Sequence, residues 1–485
     1  MNESNIHRHL LLLAFLPVAL FASSLPIRVH AGDKASAGCT TIIMGKKATA
    51  DGSVIMAHNE DYGDNDCMHL VYHPPEKHAA GAVIRFAFAS VPQVPLTYAY
   101  TAIEMNSGQR LGMPPAKFLN GMNEHGLSLA SNCIDCREPS EPFNRGLGWP
   151  EIGQLVLQRC RTARQAVELC ARLIDQYTFN GFENTSCKNL TFLMADPGEG
   201  WIMEVTRRHW AAKRCPDGGA IFYANQAQIG TDYDMASADL VSYATANHWY
   251  DPKSGRKLSF KETYGKDLGQ PLNAMREARM RELLSARLGT ITIQDLIPVM
   301  RDHYEGKAYY GVPHAKNPRS ICVSATQSSQ IYHLRAGLPR ELGCVMWSLA
   351  GSPCSGVYTP VWAGYKGGIP AEWLSGSDSF SADSAWWTFE RIQRLLAPEG
   401  NSNREVWDRE WAAIRKRWSA IEKRGSDEIG TLEKNAIKLW DQGSQEEVCK
   451  LLTNHTNMRL HADYLEARSI LDGLNSTKRQ SKRNY

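Results

Sequence analysis

The chain carries almost no surplus of charge. Its 54 Lys+Arg stand against 51 Asp+Glu, a formal net charge of +3 over 485 residues. The basic footprint that neutralises phosphates is missing, so nucleic acid is not an expected partner. Long hydrophobic runs are missing too. The apolar run Leu10–Ala22 has 13 residues, too few to cross a bilayer as a helix, and no later run is longer, so no membrane span is expected. Metal-ligand spacing is a third absence. Cys133-Ile-Asp-Cys136 has the form of half a zinc site, but no second pair at ligand spacing follows. A disulfide or free thiols are expected there ahead of a metal.

What is present is a globular composition, 43% hydrophobic and 22% charged, enough for one large domain or two ordinary ones. His7, Arg8 and His9 precede the apolar run, and small residues follow it. That order reads as a secretory signal and predicts an exported protein. Val29-His30-Ala31 and Ala35-Ser36-Ala37 are two candidate cleavage sites. Cleavage after Ala31 leaves Gly32–Gly38 as a short pro-segment. Export favours pairing some of the 12 cysteines; with Cys39 set aside, 11 remain, so at least one more is unpaired or bonded to another chain.

The chain is organised around the stretch from Cys39 to Asp61. Thr40–Met44 reads as a strand, Asp51-Gly52 as a turn and Val54–Ala57 as a second strand, followed by the polar cluster His58-Asn59-Glu60-Asp61. Such a hairpin returns Asp61 to the neighbourhood of Cys39. A thiol at a newly exposed N-terminus, its own amine as base and a carboxylate to orient that amine make a complete nucleophilic device. The bland alternative is a buried structural thiol. Lipid attachment at Ser36-Ala37-Gly38-Cys39 is disfavoured by the polar spacer separating it from the apolar run.

Farther along, Asn120–Asn132 reads as a turn feeding a strand. Pro150 opens a helix and Thr162-Ala-Arg-Gln165 caps another, whose Ala163, Val167, Cys170 and Ile174 make one buried face. Leu190–Met194, Trp201–Val205, Trp210–Arg214 and Ala220–Tyr223 read as an antiparallel meander ending at Asn225, which is either a turn-former or an oxyanion donor. Helices are predicted over Asn273–Leu288 and Ile293–His303, and strands over Ser320–Ala325, Gln330–Arg335 and Gly343–Leu349. The last third is helical: Ser381–Leu396, Arg404–Arg424 with Trp407, Trp411, Ile414 and Trp418 on one face, Leu432–Asn454 and Arg459–Leu474. The basic tail Lys478–Arg483 is expected to be disordered. Strands between helical blocks predict an α+β protein with antiparallel sheets flanked by helical layers.

Cys-Thr-Thr-Ile-Ile-Met-Gly-Lys-Lys-Ala-Thr-Ala-Asp-Gly-Ser, followed by Asn-Glu-Asp, closely resembles the mature start of dipeptidase A-type cysteine dipeptidases. These are N-terminal-nucleophile hydrolases, relatives of penicillin V acylase and bile salt hydrolase. Gly121-Met-Asn-Glu, the Glu151–Tyr177 helix pair, Trp210–Asn225, Tyr250-Asp-Pro-Lys, Arg301-Asp-His-Tyr-Glu-Gly306, Arg319-Ser-Ile and Gly351-Ser-Pro resemble that family's landmarks in order, over roughly residues 39–425. The resemblance implies a four-layer αββα sandwich and a precursor cut before its nucleophile. It implies residues 1–38 as signal and pro-segment, 39–375 as the catalytic domain, and 376–485 as a helical region packed on it.

By the same resemblance Cys39 is the nucleophile and its freed amine the base, Asp61 holds the amine, Asn225 donates to the oxyanion and Asn132 adds a polar contact. The family usually has arginine where this chain has His58. Histidine can replace that charge only when protonated; Arg276 and Arg279 are the candidate substitutes. Thiolate attack on an amide, with proton shuttling by the amine, needs no metal or other cofactor. The expected partners are short peptides whose ammonium meets Glu60; assembly into a homo-oligomer is left open. Two alternatives stand beside the dipeptidase reading: an acylase or amide hydrolase using the same nucleophile, and an inactive secreted or lipid-anchored binding protein.

Overall fold

Two antiparallel strands, β1 (Thr40–Met44) and β2 (Val54–Asp61), pair from Thr40 opposite Asn59 to Met44 opposite Ile55. Asp51 Oδ1 accepts from the Ser53 amide at 3.1 Å and Gly52 takes φ +76°, a region open to a residue without Cβ, so the chain turns at the expected place. β2 does not stop at Ala57. It continues through the polar cluster to Asp61, because β16 (Thr326–Leu334) pairs along its far side as far as Asp61. The computed structural model describes residues 38–61, 66–105, 117–139, 145–181, 187–266, 268–308, 310, 313–314, 319–397 and 407–483. Of the signal and pro-segment expected over residues 1–38, all but Gly38 lies outside them.

Next come β3 (Met68–His73) and an excursion with two small ribbons, β4 (Glu76–Lys77) on β7 (Leu96–Thr97) and β5 (Val83–Arg85) on β6 (Ser90–Pro92). β8 (Tyr100–Met105), β9 (Phe118–Asn123) and β10 (Ser128–Ile134) follow, then α1 (Trp149–Arg159), with Pro150 in its first turn, and α2 (Ala163–Tyr177), whose cap Thr162 accepts from the Gln165 amide at 3.2 Å. β11 (Asn189–Ala195), β12 (Gly200–Val205) and β13 (Trp210–Arg214) form the expected meander. β14 (Ala220–Tyr223) leaves it and pairs instead with β1. β15 (Met235–Ala236), α3 (Leu240–Ala246) and α4 (Phe260–Tyr264) lead to α5 (Pro271–Leu284) and α6 (Ile293–Met300).

The next strand is β16 (Thr326–Leu334). Residues 320–325, expected to be a strand, are irregular. α7 (Arg340–Gly343) turns the chain into β17 (Cys344–Ala350) and β18 (Thr359–Trp362). α8 (Ala385–Leu396), α9 (Ala412–Asp441) and α10 (Gln445–Arg483) complete the described chain. The 478–483 tail, expected to be disordered, continues the last helix.

One sheet has the order β14-β1-β2-β16-β17-β18 and the other β15-β13-β12-β11-β10-β9-β8-β3; every pairing is antiparallel. Alternation along the strands divides their side chains between two cores. Ile42, Met44, Ile55 and Ala57 pack with Met280 and Leu284 of α5 and Leu296 of α6. Ile43, Val54 and Met56 point the other way, into a core shared with the second sheet and with Ile152 of α1 and Val167 of α2. The layers are therefore helix, sheet, sheet, helix: an α+β, four-layer αββα sandwich. The C-terminal helices extend it, α8 and α10 packing on β17 and β18, and Trp418 donating to the Ser355 carbonyl at 3.0 Å.

Candidate active site

The alternation that builds the cores also builds the site. At the open end of the β1–β2 hairpin, Thr41, His58 and Glu60 project between the sheets, while Thr40, Asn59 and Asp61 project toward α5 and α6. Cys39 lies at their junction, 3% exposed, and here is still joined to Gly38.

On the inter-sheet side the Cys39 thiol lies 3.3 Å from Glu60 Oε1. Glu60 Oε2 is 3.1 Å from His58 Nε2, His58 Nδ1 is 2.8 Å from Thr41 Oγ1, and Thr41 donates to Asn132 Oδ1 at 2.7 Å. Asn132 closes the chain by donating to the Cys39 carbonyl at 3.0 Å. Burial, then the charges of Glu60 and Asp61, push the Cys39 thiol well above its ordinary range.

On the helix side Asp61 is fully buried. Its Oδ2 accepts from Arg319 Nη2 at 2.7 Å and its Oδ1 from Thr326 Oγ1 at 2.6 Å. Burial raises its carboxyl above the ordinary value although Arg319 and Thr326 oppose this. Arg319 Nη2 also donates to the Gly38 carbonyl at 2.5 Å, and Arg276 Nη1 donates to the same oxygen at 3.0 Å. Two guanidinium groups thus converge on the carbonyl that precedes Cys39. Arg276 donates in addition to the Cys39 carbonyl and to Thr40 Oγ1, each at 3.0 Å. Burial and the neighbouring Arg319 bring Arg276 down to about 9, so it stays charged at neutral pH.

Asn225, at the end of β14, faces the same point. Its Oδ1 accepts from Arg276 Nη2 at 2.8 Å and its Nδ2 donates to the Cys133 carbonyl at 3.0 Å. Cys133 is disulfide-bonded to Cys187, so it pairs neither with Cys136 nor with a metal; Cys136 is a free buried thiol.

All six residues singled out in the sequence, Cys39, His58, Glu60, Asp61, Asn132 and Asn225, therefore lie in one connected network. Arg276 joins it, but Arg279 does not: its guanidinium is committed to Asp302, with contacts of 2.6–3.0 Å. Arg319 and Thr326 were missed as site residues. Arg319-Ser-Ile stood out as a landmark, yet only the fold brings it across 258 positions to Asp61. The Cys39, His58 and Glu60 donor atoms also lie within 4.8 Å of one another, close enough to hold a metal ion, although hydrogen bonds already engage each of them.

The αββα sandwich thus sets a buried cysteine at the head of its central hairpin. The chain matches the model of peptidase family C69 over residues 38–279 and 282–410. It belongs to that family and is a peptidase. It is 29% identical to a probable dipeptidase of Salmonella dublin over 365 residues, covering 68% of this chain and 81% of the relative. It is 25% identical to probable dipeptidase A of Streptococcus pyogenes serotype M3 (strain SSI-1) over 403 residues, covering 75% and 84%. Among solved structures it is similar to penicillin V acylase from Agrobacterium tumefaciens, with a TM-score of 0.39, 14% identity, and 67% of this chain and 86% of that one covered. A mutant of conjugated bile acid hydrolase from Clostridium perfringens gives a TM-score of 0.39 and 13% identity, with 71% and 98% covered.

Proposed function

We propose that this peptidase is an exported cysteine dipeptidase whose nucleophile, Cys39, becomes the N-terminal residue when the Gly38–Cys39 bond is cut. The carrying observation is the Gly38 carbonyl, gripped by Arg276 and Arg319 beside the Cys39 thiol and the Asp61 carboxylate. The dipeptidase names of the sequence relatives support the substrate class, and the Cys133–Cys187 disulfide supports an oxidising compartment.

Cutting begins with the thiol. Glu60, 3.3 Å away, takes its proton, and Sγ adds to the Gly38 carbonyl carbon. The two guanidinium groups stabilise the resulting oxyanion. Collapse breaks the C–N bond, protonates the Cys39 nitrogen and leaves a thioester, which water hydrolyses. The new amine lies next to Asp61, which holds it. An α-amine titrates near 8, so it can take the thiol proton at neutral pH and return it to the leaving amine of a peptide substrate. The site vacated by the Gly38 carbonyl then receives the substrate carbonyl, with the same cations facing it.

Intact-mass and peptide mass spectrometry of the exported protein, with a dipeptide assay on the same sample, tests this reading. A chain beginning at Cys39 with an unmodified thiol that cleaves dipeptides supports it, with Cys39→Ala inactive. A mature chain beginning upstream of Cys39, or lipid on Cys39, would falsify the mechanism. Preferential cleavage of acylated amino acids would move the substrate class to the acylases.

A further inference from the structure

A second cluster lies apart from the Cys39 network. His303, just past α6, His314, Cys322, just before β16, and Cys354, between β17 and β18, bring four potential ligand atoms within 4.8 Å of one another. His314 Nε2 is 3.4 Å from Cys354 Sγ and 3.6 Å from Cys322 Sγ. A tetrahedral zinc ion with usual Zn–S and Zn–N bonds sets its sulfur and nitrogen ligands about 3.6 Å apart. His303, Cys322 and Cys354 are 4%, 0% and 0% exposed.

The outer nitrogens of both histidines are engaged in the manner of ligand histidines. His303 Nδ1 is 2.9 Å from the Glu305 carboxylate, which fixes the proton on Nδ1 and leaves the Nε2 lone pair free. His303 Nε2 is buried with no hydrogen-bond partner. His314 Nδ1 is 3.1 Å from the Gln393 side-chain amide, whose Oε1 is itself buried without a partner. Turning that amide over gives Oε1 the Nδ1 proton and leaves His314 Nε2 unprotonated, facing the sulfurs. Trp407 covers both rings edge-on, with centroids 5.6 Å from each.

The geometry points to a structural zinc site: His303 Nε2, His314 Nε2, Cys322 Sγ and Cys354 Sγ binding one Zn2+ ion. Two thiolates and two imidazoles suit zinc, and four protein ligands leave no open position for substrate or water. The site is a clip rather than a reaction centre. It ties His303, His314 and Cys322 to Cys354, and Arg319 lies three residues before Cys322. The Cys322 amide also donates to the Asp302 carbonyl at 3.1 Å. The ion therefore anchors Cys322, close in sequence to the Arg319 that reaches Asp61 and Gly38.

Elemental analysis of the full-length protein purified without chelator, followed by loading with Zn2+ or Co2+ alone, tests the site. About one zinc per chain is expected, retained by Cys39→Ala and lost from Cys322→Ser and Cys354→Ser. Glu305→Gln should weaken zinc about 10–100-fold. Because the cysteine variants risk failing to fold, the unmutated protein carries the main readout: loaded with Co2+, it should show thiolate-to-cobalt charge transfer and tetrahedral d–d bands. No metal after Zn2+ loading, no cobalt bands, or a Cys322–Cys354 disulfide by peptide mapping would overturn the assignment. So would metal that disappears with Cys39→Ala but stays in folded Cys354→Ser.

Discussion

Arg319 bridges Asp61 and the residue before the nucleophile: its Nη2 lies 2.7 Å from Asp61 Oδ2 and 2.5 Å from the Gly38 carbonyl oxygen. Both partners of this pair are buried. Removing one therefore leaves an uncompensated charge, whereas removing both does not. Arg319→Met should destabilise the protein by roughly 3–5 kcal/mol, and Asp61→Asn added to it should recover part of the loss. Urea unfolding of the two single variants and the double variant measures the coupling. Strict additivity would mean that the pair does not act as a unit. Arg319→Met should also lower dipeptide turnover on the order of 100-fold, the usual loss when a donor to a developing oxyanion is removed.

Gly38 is tested by its missing side chain. A Cβ there would come within 2.2 Å of Arg319 Nη1 and 2.5 Å of Asn225 Oδ1. Gly38→Val must push these groups from the carbonyl they frame, and displacing a reacting carbonyl by about 1 Å costs on the order of 100-fold in rate. Release of the segment before Cys39, followed by intact mass over time, should slow accordingly. Mature Gly38→Val protein, once formed, should be as active as the unmutated enzyme, because residue 38 has left. Unchanged release kinetics would show that the guanidinium pair does not govern the cut.

Glu204 supplies a pH dependence away from the thiol. It is fully buried on β12 and accepts from the Tyr223 hydroxyl at 2.9 Å and the Gln228 amide at 2.5 Å. Burial raises it to about 7, despite those donors. In the unfolded chain it titrates near 4.3. The folded state thus holds its proton more tightly. That stabilising contribution is fully present below about pH 4 and is lost as pH rises through about 7. Relative to Glu204→Gln, the unmutated protein should lose roughly 3 kcal/mol between pH 5 and pH 8. Thermal melts of both proteins across that range give the difference directly. Parallel curves would mean that Glu204 is ionised in the folded state throughout.

The local features were legible where neighbours in sequence are neighbours in space. The hairpin turn at Asp51-Gly52, the caps at Pro150 and Thr162 and the meander strands each rest on contacts between near neighbours in sequence, and the indole face of Trp407 and Trp418 on helical spacing alone. The strand limits were less legible. β2 runs to Asp61 because β16, more than 260 positions on, pairs with its polar end; residues 320–325 look like a strand but spend their polar groups on loop contacts. Cys39 and Asp61 were readable from one hairpin. Arg319 was not, because its value lies in a partner 258 positions away. The four residues of the second cluster follow no metal-ligand spacing, since His303, His314 and Cys322 are spread between α6 and β16 and Cys354 comes from the link between β17 and β18.

The Cys133–Cys187 disulfide connects stability to the site. It closes a loop of 54 positions that includes both α1 and α2. Chain entropy alone assigns such a cross-link roughly 4 kcal/mol, and measured losses run from about 2 to 5 kcal/mol. Cys133 also lends its carbonyl to Asn225 Nδ2 at 3.0 Å, so loosening this end of β10 also loosens Asn225. The double variant Cys133→Ser/Cys187→Ser should melt lower, and it should lose turnover with dipeptides at temperatures where it is still folded. Adding reductant should bring the unmutated protein to the same melting point and leave the variant unchanged. A variant with lowered stability but full turnover would separate the disulfide from Asn225 and reduce it to a staple for the 133–187 loop.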